Sequence, residues 1–129
     1  MNAPVFLSRE AIDEIHEASL RAFGGGDGDG VRDEVALESA LAQPIHEYVY
    51  RDADLFQIAA AYAFHLAQNQ PFIDGNKRTG LLSALNFLVA NGIVADEPVD
   101  AFYDAMIAIA EKRLDKSGLA AVFRTHLSR

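Results

Sequence analysis

The chain contains no cysteine. Disulfides and thiolate-bound metals are therefore excluded, and a reducing compartment is the natural expectation. No apolar run approaches the ~20 residues that a membrane-spanning helix needs. The first residues, Met1 to Arg9, lack the charged-then-apolar order of a secretory signal. Positive charge is also scarce, with 11 Lys and Arg against 19 Asp and Glu and a formal net charge of −8. Such a surface repels a phosphate backbone and argues against nucleic-acid binding, although a local basic patch would still hold a small phosphate ligand. Period-two alternation long enough for a sheet is missing, as is any internal repeat. These absences point to one cytoplasmic, all-α domain over residues 1–129, with 50% hydrophobic residues to fill one core.

What is present has helical spacing nearly throughout. Ser8 is placed to cap a first helix, with Leu7 and Ile12 as a hydrophobic staple and Ile12, Ile15, Ser19 and Phe23 as its stripe. Five glycines within Gly24 to Gly30 end that helix. The run has spaced aspartates but no calcium-loop glutamate, and it reads as a flexible connection. A second helix is predicted from about Asp33 to Gln43, stopping at Pro44. Ile45 to Arg51, rich in aromatic and β-branched residues, is predicted to form a short extended flap. Asp54 and Gln57 suit a capping box for a third helix with Leu55, Ile58, Tyr62 and Leu66 on one face. After a break at Pro71 to Asn76, a fourth helix carries Leu81, Leu85, Leu88 and Val89 and stops at Asn91-Gly92. A fifth carries Phe102, Met106, Ile109 and Ala110, and a sixth begins near Ser117 with Val122 and Phe123 inward.

Polar chemistry concentrates in Gln70-Pro71-Phe72-Ile73-Asp74-Gly75-Asn76-Lys77-Arg78-Thr79, between two strongly apolar helices. The N-terminus of the second presents unpaired N–H groups and a positive dipole end. Gly75 lets a ligand approach the backbone. Lys77 and Arg78 put two cations in the first turn, against the dipole, at a cost of about a few tenths of a kcal/mol. That conflict points to an anion, most simply a phosphate. Asp74 is placed to bind Mg²⁺ bridging phosphate oxygens. The segment holds no general base. Plainer roles stand beside these: Asp74 or Asn76 as an N-cap, Lys77 and Arg78 as solvated charges, Phe72 as a core anchor.

Pro71-Phe72-Ile73-Asp74-Gly75-Asn76-Lys77-Arg78-Thr79 resembles the signature of Fic/Doc proteins, which begins with histidine, one residue, then phenylalanine. Gly30 to Asp33, Leu37 to Leu41, Ala59 to Ala63 and Asn86 through Gly92 resemble its Doc ("death on curing") branch. The resemblance implies a compact Fic-type bundle of about six helices with a short extended flap. It also implies the toxin of a toxin–antitoxin pair, using ATP and Mg²⁺, with a cognate antitoxin as partner. Fic proteins generally transfer AMP to a hydroxyl. Doc toxins pass the γ-phosphate to a threonine of elongation factor Tu and halt translation. AMP-transferring members usually have glycine where this chain has Lys77, and a second arginine where it has Leu81, so the phosphotransferase branch is the one implied. By this resemblance Asp74 binds Mg²⁺, while Gly75, Asn76, Lys77 and Arg78 hold phosphates and Asp74 and Arg78 serve catalysis. The flap near His46 to Arg51 would position the target.

Gln70 occupies the family's histidine position. Histidine accepts and returns a proton near neutral pH, and an amide does not. The chain is therefore expected to be inactive or weakened, whether Gln70 is natural or engineered. A non-catalytic nucleotide- or partner-binding module and an AMP-transferring enzyme are the alternatives. His65 and His46 are expected to pack or face solvent, and His16 and His126 have no local argument for catalysis.

Overall fold

The computed structural model describes residues 3–24, 30–95 and 99–127. Among them are six helices: α1 (Arg9–Phe23), α2 (Glu34–Arg51), α3 (Leu55–Asn69), α4 (Asn76–Ala90), α5 (Asp100–Ala110) and α6 (Lys116–His126). Val31 and Phe72 form an isolated antiparallel bridge. The fold is all-α, as the spacing predicts. Residues 25–29 of the glycine run, with the flexible connection expected there, lie outside the described residues.

Capping chemistry sets several helix ends. The Ser8 hydroxyl accepts from the Ala11 N–H at 3.1 Å. Asp54 and Gln57 close both bonds of their capping box at 2.8 Å. At the end of α4, Gly92 takes φ 91°. Its N–H reaches Val89 O at 3.1 Å and the Ile93 N–H reaches Leu88 O at 2.9 Å, the paired bonds of a Schellman stop. The Asn91 side chain also bonds the Val5 N–H and carbonyl, tying the N-terminal segment to this end of α4.

α3 is the central helix and packs on α2, α4, α5 and α6. It buries Ile58, Tyr62 and Leu66 together with Ala59, Ala60, Ala61, Ala63 and Ala67. The burial extends round the helix, well beyond the single predicted face, as expected of a helix enclosed by its neighbours. Alanine lets those neighbours come close, α4 among them. A Cβ added to Gly80 would stand 2.8 Å from the Ala63 carbonyl oxygen and 3.3 Å from Ala63 Cα.

The predicted stop at Pro44 and the extended flap over Ile45–Arg51 are not formed. α2 continues through Pro44 to Arg51 and ends at Asp52, in the left-handed region with φ 53°. Proline removes one helical hydrogen bond and crowds the preceding turn, at about 3 kcal/mol. Burial of a continuous stripe offsets that cost. Leu37, Ala40 and Pro44 are buried, and Leu41 and Tyr48 pack against the same core. Their spacing is helical across the proline, so packing overrides the strand preference of the aromatic residues.

Smaller differences follow from where each helix lies. In α1 the buried residues are Ile12, His16 and Ser19, whereas Ile15 is half-buried and Phe23 is 55% exposed. Val89 is exposed, and Ala105, not Ala110, faces the core from α5. α6 starts at Lys116 under an Asp115 cap. Lys116 Nζ stands 2.5 Å from Glu47 Oε1 and 3.0 Å from His65 Nε2, joining α6 to α2 and α3.

Gly80→Ala is expected to push α4 off α3 against backbone atoms that cannot swing aside. It should cost about 1–3 kcal/mol in urea unfolding, and an unchanged midpoint would contradict the close approach. Burial, helped by the Lys116 charge, lowers the His65 pKa from 6.5 to about 4. The unfolded chain therefore takes up a proton before the folded one does. Stability from neutral His65 is full above about pH 6.5 and falls as pH drops towards about 4. Urea midpoints measured across that window should fall less in His65→Gln than in the unsubstituted protein.

Candidate functional site

Because α3 and α4 are held together, the connection between them is short and fixed at both ends. Gln70 ends α3 with φ 47° and ψ 55°, a left-handed conformation that costs a non-glycine residue about 1–2 kcal/mol. Arg32 Nη2 donates to the Gln70 carbonyl. The Pro71 carbonyl accepts the N–H groups of Arg32 and Asp33, and the Ile73 N–H donates to Gly30 O at 3.1 Å. Gly30 to Asp33 thus runs antiparallel to Pro71 to Ile73, and the extended segment beside the loop precedes α2. Residues 45–51, expected to be that segment, are helical.

The next turn is tied from inside. Phe72 is fully buried, as its core-anchor role requires. The Asn76 amide accepts the Phe72 N–H at 2.9 Å and donates to the Phe72 carbonyl at 3.0 Å. This side chain closes the loop, and the group it offers a ligand is its backbone N–H. Gly75, with φ 81°, occupies the N-cap of α4 and makes no side-chain cap bond. The N-cap readings of Asp74 and Asn76 therefore do not hold. Asp74 is half-buried, and its Oδ1 accepts the Gly75 N–H at 2.7 Å.

The first α4 rung joins the Thr79 N–H to Gly75 O at 2.9 Å. The N–H groups of Asn76, Lys77 and Arg78 precede that rung, at the positive end of the helix. Lys77 is exposed and Arg78 half-buried. Neither forms an ion pair among the described residues, whereas Arg9, Arg21, Arg113, Lys116 and Arg124 each meet a carboxylate. The Arg78 Nε is buried without a hydrogen-bond partner. Two adjacent cations at a helix N-terminus, with no ion pair among the described residues of an acidic chain, have the electrostatics of an anion cradle.

These residues fit a phosphate ligand. They also fit Mg²⁺ bound together with one, because that ion typically combines one or two carboxylates with substrate phosphates. Asp74 is the carboxylate within the loop, and the described residues hold no cluster of three or more His, Cys, Asp or Glu that would bind a metal alone. A cleft of about 380 Å³ lined by Glu47, Arg51, Gln57, Lys116 and Ser117 includes no loop residue. The candidate site is identified by its chemistry.

His16 is the residue that sequence reasoning missed. It is 2% exposed and lies against the loop. Its ring stacks on Phe72 at 3.9 Å and 13°, and its Nε2 lies 2.8 Å from the Asp74 carbonyl. A carbonyl only accepts, so Nε2 carries the proton. The other histidines match expectation more closely. His65 faces Lys116, His46 is exposed on α2 with its ring against Tyr50, and His126 packs its edge on Phe102.

Residues 6–88 match the model of the Fic/DOC family. The chain is similar to a protein kinase doc of Escherichia phage P1, with 34% identity over 121 residues covering 92% of each chain. It is also similar to a toxin Doc of Mycolicibacterium smegmatis, with 38% identity over 120 residues, 90% of this chain and 88% of that one.

Asn76→Ala should leave the Phe72 N–H and carbonyl without their partner and cost about 1–3 kcal/mol. Urea unfolding reads this directly, and a change below about 0.5 kcal/mol would mean that the loop does not depend on that closure.

Proposed function

The chain belongs to the Fic/DOC family, and on that premise we propose that it is one domain forming the toxin half of a toxin–antitoxin pair, built as a Doc-type phosphotransferase. Its likeness to proteins named as a kinase and a toxin over nine-tenths of its length supports the class. The observation that carries the reading is the pair of cations, Lys77 and Arg78, at a helix N-terminus, with an Arg78 Nε that is buried and lacks a partner.

Bound ATP with Mg²⁺ would supply the γ-phosphoryl group and neutralise the charge that develops during its transfer. Asp74 would hold the metal. Gly75 supplies the left-handed turn that opens α4, its missing Cβ facing Leu20 and His16, and the N–H groups of Asn76 to Arg78 would donate to phosphate oxygens. Arg78 would add paired donors in a planar fork, and Lys77 a mobile point charge. Lys77 in place of glycine, with a buried Leu81 in place of a second arginine, favours γ-phosphoryl over AMP transfer. The target by family resemblance is a threonine hydroxyl of elongation factor Tu. The extended segment Gly30 to Asp33, paired with the loop, would align the target strand. The partner is a cognate antitoxin, and the compartment is the cytoplasm.

Gln70 is exposed at the start of the loop, at the position of the family histidine. Its amide would orient a hydroxyl without taking the proton, so transfer should be slower by about 10²–10⁴-fold. The same residue favours a second reading, a Fic-fold module that binds nucleotide or a partner without turnover.

The decisive comparison is between this chain and Gln70→His, each incubated with elongation factor Tu, Mg²⁺ and ATP labelled at the α- or the γ-phosphate. Transfer of γ-label is expected, at least about a hundredfold faster with Gln70→His. Transfer of α-label would make the protein an AMP transferase. No transfer by either variant would leave the binding-module reading in its place.

A further inference from the structure

The loop rests on one face of α1. His16, Leu20 and Phe23 follow one another at helical spacing on that face. His16 meets Phe72 and the Asp74 carbonyl. Leu20 Cδ2 lies 3.4 Å from where a Cβ on Gly75 would stand. The Phe23 ring lies under the Arg78 guanidinium, with 4.1 Å from Cζ to the ring centroid. Phe23 is 55% exposed, so the core does not account for its position. It ends the helix directly before Gly24.

We propose that Phe23 is a positioning residue of the anion site, holding Arg78 by its face so that the edge N–H groups are presented to phosphate oxygens. The inference rests on the assignment of Arg78 to phosphate binding. A guanidinium has a face that stacks and an edge that carries all five N–H donors. In Arg78 the guanidinium carbon lies over the Phe23 ring, and the buried Nε–H has no partner. Stacking thus removes rotamer freedom from a long side chain without using its donors. The remaining freedom is what an anion would otherwise have to suppress on binding. The attraction is specific to an aromatic ring, because it comes from the negative potential of the ring face. Phosphate binding in this chain thereby depends on the last turn of α1, far from the loop in sequence.

The experiment measures binding of ATP in the presence of Mg²⁺ by calorimetry for the full chain and for Phe23→Leu, Phe23→Tyr, Phe23→Trp and Arg78→Ala, each checked by thermal unfolding. Phe23→Leu should bind about three- to tenfold more weakly, from the lost ring attraction and the freed arginine. Phe23→Tyr and Phe23→Trp should bind within about twofold of the unsubstituted protein, since both keep a ring face. Combined with Arg78→Ala, the leucine substitution should have no further effect, because the two act through one interaction. If Arg78→Ala weakens binding while Phe23→Leu does not, the positioning role is wrong and the phosphate site stands. A leucine variant as weak as expected, with tyrosine and tryptophan variants equally weak, would also overturn the aromatic mechanism. If the unsubstituted protein does not bind ATP, or Arg78→Ala binds equally well, the phosphate site itself is wrong and this inference falls with it.

Discussion

The contact between Gly80 on α4 and the backbone of Ala63 on α3 underlies the rest of the structure. Only a residue without a side chain allows that approach, with Ala63 O standing 2.8 Å from where a Cβ would be. Close packing of the two helices fixes where one ends and the other begins. The residues between Asn69 and Asn76 then have little choice of path. Two left-handed residues, Gln70 at φ 47° and Gly75 at φ 81°, turn the chain at either end. The strain at Gln70 is sustained by a framework that over-determines the loop, as strained conformations at functional sites usually are.

Around that path the loop is fastened on three sides by different kinds of bond. The segment before α2 pairs with Pro71 to Ile73 through Arg32, Asp33 and Gly30. Asn76 closes it internally on the Phe72 backbone. α1 supports it from beneath through the His16 ring and the Asp74 carbonyl. These bonds occupy side chains and carbonyls of the loop, while the α4 amides before Thr79 and the charges of Lys77 and Arg78 stay outside them. The result is a multiply fastened backbone that places two adjacent cations at a helix N-terminus on a molecule of net charge −8. Such local concentration of one sign against an opposite background raises the local concentration of small anions even when the whole surface would repel a polyanion.

Features that depend on near neighbours were legible in the sequence. The Ser8 cap, the Asp54–Gln57 box and the Asn91-Gly92 stop join residues at most a few positions apart, and their chemistry is the same in any fold. The loop composition was equally readable, since Gly75, Lys77 and Arg78 follow one another directly. The proline at position 44 misled, because its local cost is real and the compensating burial of Leu37, Ala40 and Tyr48 comes from α3 and the core. The cap reading of Asn76 does not hold, because Gly75 takes the N-cap and the Asn76 amide reaches back to Phe72, a contact set by loop shape.

Sequence alone therefore determined the helical class, most helix ends and the identity of the charged loop, because helical periodicity and capping act within a turn or two of the chain. Tertiary structure alone decided that α2 runs through its proline. It also decided that Gly30 to Asp33 lies beside the loop and that His16 and Phe23 sit beneath it. Those outcomes depend on which surfaces meet across tens of residues. The free energy involved is that of burial and pairing between distant segments, and no local pattern records it.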